Sequence, residues 1–111
     1  MFRILALTVL LAGCARSASP TAEADAKAVV AKGGLLLDVR TPEEFASGHL
    51  EGAVNVPVQE LDAKWASLNV PADREVVVYC RSGGRSARAR AILEGKGVKR
   101  VVDLGAMSNW K

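Results

Sequence analysis

Short apolar runs rich in β-branched residues alternate along this chain with segments of helical spacing, and few folds accept that alternation. Residues 35–39, 53–56, 75–79 and 99–104 read as strands; the third is the strongest, with Val76, Val77 and Val78 at its centre. Residues 21–32 are alanine-rich, with Thr21 placed to cap and Gly33-Gly34 to stop a helix. Thr41-Pro42-Glu43-Glu44 is a helix start: a threonine cap, proline at the first helical position and a glutamate that completes a capping box. Gly48 ends that helix early, and Pro57 stops the strand that follows. Val58, Leu61, Trp65 and Leu68 share one helical face. Residues 86–94 form another helix, stopped by Gly95 and Gly97, and residues 105–110 turn into a last short one. Strands separated by helices pair in parallel, which predicts a three-layer α/β domain with a central parallel sheet of four or five strands and helices on both faces. With 111 residues there is room for one such domain. Its core is modest, hiding ~60–65% of the surface that the unfolded chain exposes.

The first thirteen residues stand apart from this pattern. They carry one charge, Arg3, followed by an apolar run from Ile4 to Ala12. A membrane span needs ~20 residues, so the run is too short to cross and has the anatomy of a signal-peptide core instead. Leu11-Ala12-Gly13-Cys14 resembles the lipobox of bacterial lipoprotein precursors, which implies cleavage before Cys14 and acylation of its thiol. In those precursors aspartate after the cysteine retains the protein at the inner membrane; Ala15 stands there, which favours the outer membrane. The expected organisation is a leader over residues 1–13, an acylated Cys14 with a short polar tether over 14–20, and the domain over 21–111. The domain would face the periplasm close to the membrane, since six tether residues reach at most ~20 Å. Without Arg3, 14 of the 15 basic side chains remain against 12 acidic ones, or +2. A balance so near zero gives no footprint for nucleic acid.

Lipidation would leave one thiol of the two cysteines, at Cys80. Cys80 directly follows the strongest strand and precedes a helix, at the sheet end where parallel α/β folds bind ligands. Helix N-termini offer unpaired N–H groups. Gly83 and Gly84 let the backbone curl so that those donors converge in an anion-binding nest. The helix dipole, Arg81 and Arg85 add positive potential. Such surroundings lower a cysteine from ~8.5 into the range ~3.5–7.5 and make it a nucleophile. An inert buried cysteine is the plainer alternative, but it leaves two glycines and two arginines in the next five positions without a purpose. A phosphate loop of Walker type would need a Lys-Ser/Thr pair, and none follows here.

The segment Cys80-Arg81-Ser82-Gly83-Gly84-Arg85-Ser86 resembles the rhodanese active-site signature C-R-S-G-x-R-S. Three more segments agree, in family order and spacing, across residues 21–111. Asp38-Val39-Arg40 through Glu44-Phe45 resembles D-V-R-x-x-x-E-[FY], and Gly48-His49-Leu50 through Pro57 resembles G-H-I-x-G-A-x-N-I-P. Gly105 and Trp110 match the terminal G-G-x-x-x-W, with Ala106 where the family has its second glycine. The chain resembles the short, exported single-domain members, such as those like phage-shock protein E, more than the tandem enzymes. The domain also starts with a helix almost at once, so the family's usual first strand is expected to be missing.

The resemblance implies a rhodanese-like fold and a sulfurtransferase. Cys80 would attack a small anionic sulfur donor such as thiosulfate, hold the sulfur as a persulfide, and pass it to a thiol or to cyanide. Backbone N–H groups of Arg81, Ser82, Gly83, Gly84, Arg85 and Ser86 would bind the anion. Arg81 would attract the donor; Arg85 would share that role or turn inward to a carboxylate. Asp38 and Arg40 are expected to tie strand ends together, His49 to order a loop, and Trp65 and Trp110 to join the core. No metal or cofactor is implied, and the domain is expected to act as a monomer. One rival is a cysteine phosphatase or arsenate reductase on the same fold, which uses Cys-x5-Arg; here that position is Ser86. Another is a persulfide carrier that does not turn over without a partner.

Overall fold

The computed structural model describes residues 21–111; the leader, Cys14 and the tether lie outside that range. Helix α1 covers Thr21–Ala31 and leads through Gly33 and Gly34 into β1, Leu35–Asp38. Helix α2 (Pro42–Ala46), the two-residue strand β2 (Val54–Asn55) and helix α3 (Val58–Lys64) follow, with a 3-10 turn at Trp65–Leu68. Strand β3 is Val76–Cys80, helix α4 is Gly84–Gly95, strand β4 is Val101–Ala106, and a 3-10 turn at Met107–Asn109 closes the chain. The sheet has four strands in the order β2-β1-β3-β4, all parallel. The expected class is therefore observed, with four strands rather than five.

Alternation along the strands sorts the core into two halves. Leu35, Leu37, Val76, Val78 and Val101 face α3 and α4, where they meet Leu61, Trp65, Ala89 and Leu93. Leu36, Val77, Tyr79, Val102 and Leu104 face α1, where they meet Ala26 and Val29. Every residue of β3 is buried, as a strand covered on both faces must be. Trp65 is in the first half, and Trp110 packs against the second with Lys27 above its ring.

The α1–β1 connection depends on a glycine. A Cβ on Gly34 would lie 2.2 Å from Val29 Cγ1 and 2.8 Å from the Val29 carbonyl oxygen. The close approach lets the Gly34 N–H bond to the Val29 carbonyl (2.8 Å) and aligns Leu35 N–H with the Glu75 carbonyl (2.9 Å).

Near its end β4 carries a bulge. Val78 pairs with Asp103 but Tyr79 pairs with Gly105, so Leu104 is the extra residue. Gly105 takes a φ of +80° there, and its N–H donates to Asp103 Oδ1 (2.9 Å). The bulge sets Ala106 beside Cys80 in the ladder.

Candidate active site

Cys80 is the last residue of β3, and α4 begins four residues later. The turn between them needs Gly83 at a φ of +110°, a conformation that other residues adopt only under strain. With that turn made, the Gly83 N–H points at Cys80 Sγ (2.9 Å) and the Ser86 N–H approaches it from the first turn of α4 (3.4 Å). The Ser86 hydroxyl donates to the Gly83 carbonyl (3.0 Å) and also lies within reach of the sulfur. Gly83 and Ser86 thus direct their donors at the thiol, and Gly84 opens the helix between them.

Cys80 has no exposed surface. Burial pushes its thiol up, but the Ser86 hydroxyl and the N–H groups of Ser86, Gly83 and Ser82 together bring it below the ordinary 9.0. The thiolate is thus held by backbone donors. Replacing Gly83 with alanine strains the turn by about 1–2 kcal/mol and draws its N–H off the sulfur. The expected result is a higher midpoint in the pH profile of iodoacetamide labelling. An unchanged midpoint would show that the Gly83 donor is irrelevant to the thiolate.

The two arginines of the loop part company. Arg81 is exposed, and among the described residues it has no hydrogen-bond or ion-pair partner. Arg85 turns to a carboxylate: its Nη1 and Nη2 donate to Glu44 Oε1 and Oε2 at 2.6 and 3.0 Å. Of the two roles open to Arg85 in the sequence, the geometry takes the inward one. Glu44 has a second duty. Its Oε1 accepts from the Thr41 N–H (3.0 Å) while Thr41 Oγ1 accepts from the Glu44 N–H (3.1 Å), which completes the expected capping box. Arg85, with help from Thr41, holds the Glu44 carboxyl down to about 2. A carboxylate lowered on folding stabilises the fold above its ordinary 4.5, and that contribution fades as pH falls toward 2.

Sequence reasoning missed the Glu44–Arg85 pair, although a signal existed. Helix α2 follows β1 and α4 follows β3, and those strands are neighbours in parallel. Both helix starts therefore lie at one end of the sheet, within reach of long side chains.

Asp38 and Arg40 lie beneath the site as an ion pair, 0% and 5% exposed. Arg40 Nε and Nη2 clasp the carboxylate at 2.6–3.1 Å, and Nη2 also holds the Gly48 carbonyl (2.7 Å). The Asn55 side chain bridges the carbonyls of Asp38 and Arg40 at 3.0 Å each. Tyr79 accepts the Leu50 N–H (3.1 Å), and its burial pushes the phenol strongly up. His49 stacks on Phe45 at 3.7 Å with Nδ1 2.8 Å from the Phe45 carbonyl oxygen, and orders its loop there rather than reaching the sulfur. Among the described residues no cluster of metal-ligating side chains exists. A cleft of about 430 Å³ lies between α1, α4 and β4, and its lining contains none of residues 80–86.

A parallel sheet between two layers of helices, with a donor-lined cysteine loop at its carboxyl end, defines a class of α/β proteins suited to thiolate chemistry. Residues 22–111 match the model of the rhodanese-like domain, and the chain belongs to that sulfurtransferase family. A sulfurtransferase of Allochromatium vinosum is 42% identical over 77 residues, covering 68% of this chain and 70% of its own. The thiosulfate sulfurtransferase PspE of Escherichia coli is 33% identical over 73 residues, covering 66% and 70%. Among solved structures, a human single-domain sulfurtransferase superposes with a TM-score of 0.68 at 29% identity, over 78% of this chain and 89% of that one. A rhodanese from Escherichia coli, solved with anions, gives 0.65 at 31% identity, over 69% and 91%.

Proposed function

We propose that this protein moves sulfane sulfur from thiosulfate to a thiol or cyanide acceptor through a persulfide on Cys80. One observation carries the reading: the Gly83 and Ser86 N–H groups converge on Cys80 Sγ, where an anionic sulfur must be held. The thiolate attacks the outer sulfur of thiosulfate; that S–S bond breaks and sulfite leaves with the electron pair. The persulfide carries one negative charge on its outer sulfur, and the loop N–H groups of Ser82, Gly83 and Ser86 stabilise it as an oxyanion hole would. Cyanide or a thiolate then takes the outer sulfur and Cys80 returns as thiolate. No proton moves at the sulfur in either half, so His49 is not needed as a base. Arg81, exposed at the rim, attracts the donor anion and the departing sulfite. Cys80 is wholly buried, so the rim formed by the exposed Ser82 and Gly84 must yield for a donor to reach it.

The engaged Arg85 also argues against phosphate chemistry, since both of its terminal nitrogens are turned to the Glu44 carboxylate instead of being presented to a tetrahedral oxyanion. Steady-state kinetics with thiosulfate and cyanide are the test. A covalent sulfur intermediate predicts parallel double-reciprocal lines. Intersecting lines, or hydrolysis of an aryl phosphate in place of thiocyanate formation, would overturn the reading. A single turnover without recycling would point to a carrier that needs its partner.

The leader supports a location. Leu11-Ala12-Gly13-Cys14 is the basis for placing the protein as a periplasm-facing lipoprotein anchored through Cys14 at the outer membrane. Palmitate labelling of cells should mark the full chain and leave Cys14→Ala unmarked; equal labelling would dismiss the anchor.

A further inference from the structure

We infer that Glu44 is a specificity-determining residue, which sets the charge of the substrate mouth by withdrawing the Arg85 guanidinium from it. The loop that holds Cys80 carries two full positive charges, Arg81 and Arg85, on either side of the glycines. A dianion entering an unmasked mouth would meet both. In the folded protein the Glu44 carboxylate meets both terminal nitrogens of Arg85, at 2.6 and 3.0 Å. The two side chains are 25% and 31% exposed, shielded enough for the pairing to be held rather than transient. Thr41 fixes the carboxylate from the other side, through its N–H and its hydroxyl (3.0 and 3.2 Å). Glu44 thus cannot swing away without opening the α2 cap. Arg40, the other cation in the neighbourhood, is consumed by Asp38 and the Gly48 carbonyl. Anion recognition is then left to Arg81 and the uncharged N–H nest.

Such a mouth attracts anions less strongly than the sequence of the loop suggests. It lowers the advantage of a dianionic donor over a singly charged or neutral one, and lets a sulfite dianion leave after transfer. This inference rests on the loop being the entry for a sulfur-donor anion, so its test uses a probe that is blind to sulfur transfer. Iodoacetate and iodoacetamide alkylate the same thiolate and differ in size by little and in charge by one. The ratio of their rates therefore cancels thiolate content and access to the buried sulfur, and reports the charge of the mouth.

Glu44→Gln keeps an oxygen for the Thr41 cap and releases Arg85. The iodoacetate-to-iodoacetamide ratio should rise about threefold to tenfold, as expected for one added charge several ångströms away in a solvated mouth. It should fall back as salt is raised. Arg85→Gln should lower the ratio by a similar factor, because Glu44 is then unmasked. The double variant should return to the wild-type ratio. An unchanged ratio in Glu44→Gln overturns the inference. So does a double variant that stays as low as Arg85→Gln, which would make Arg85 a direct anion ligand. Should Glu44→Gln fail to fold because it strands the Arg85 charge, the double variant, which removes that charge, decides: a wild-type ratio supports the inference, and a ratio as low as that of Arg85→Gln overturns it. The KM for thiosulfate, read separately, should fall in Glu44→Gln. If the ratio shifts but thiosulfate is no substrate, the charge assignment stands and the donor reading fails.

Discussion

Cys80→Ser is expected to lower sulfur transfer by a factor of about 10⁴ or more, because no other atom in the loop can form the persulfide. The fold should survive the change. Cys80 Sγ accepts from Gly83 and Ser86, and a serine oxygen at the same place accepts from the same donors. Its smaller radius loosens the packing of the core half that Cys80 shares with Val78 and Ala89, with a cost of about 1 kcal/mol. A denaturation midpoint close to wild type together with lost turnover would assign the loss to chemistry. Residual turnover above a few per cent would mean that sulfur passes directly from donor to acceptor, with Cys80 a bystander.

Asp38→Ala should have the largest effect on stability of any single change in the site. Asp38 is wholly buried and receives the Arg40 backbone N–H (2.9 Å) as well as both ends of the guanidinium clasp. Alanine would leave the Arg40 charge, 5% exposed, without a counter-ion beneath the sheet end. Breaking a buried pair from one side costs about 3–5 kcal/mol, a large part of the 5–15 kcal/mol that holds a domain together. Urea unfolding measures it directly. Asp38→Ala combined with Arg40→Met should recover much of the loss, because the stranded charge is removed. If Asp38→Ala instead folds as well as wild type while turnover collapses, Asp38 belongs to the chemistry and not to the scaffold.

The strands and helices were legible because each carries its own local signal. Val76 to Val78 is β-branched on both faces, and Thr41-Pro42-Glu43-Glu44 spells a helix start whose two reciprocal hydrogen bonds are present. The boundaries slipped where tertiary contacts decide them. The second strand reads as residues 53–56 but pairs over only Val54–Asn55, since it lies at the sheet edge with β1 as its one neighbour. The helix of residues 58–68 tightens to a 3-10 turn at Trp65, whose ring is drawn into the core. Helix α4 starts two residues earlier than its polar pattern suggests, because Gly83 closes the turn around the sulfur.

The site was legible in the same uneven way. Cys80 and the glycines could be placed from the chain alone, since a strand, a tight turn and a helix leave the nest no other position. The partner of Arg85 could not be read so simply: Glu44 lies 41 residues away, and its capping role accounted for it fully. Asp38 and Arg40 were legible as structural from the resemblance, and the reach of Arg40 to the Gly48 carbonyl shows why that loop holds its shape.

The central question is whether Cys80 carries sulfur. Intact-mass analysis after thiosulfate treatment reads this without any assay of rate. The protein should gain the mass of one sulfur atom, lose it on adding cyanide with release of thiocyanate, and show neither change as Cys80→Ser. An unmodified mass in the wild-type protein, with the thiol titrating as reduced, would contradict it.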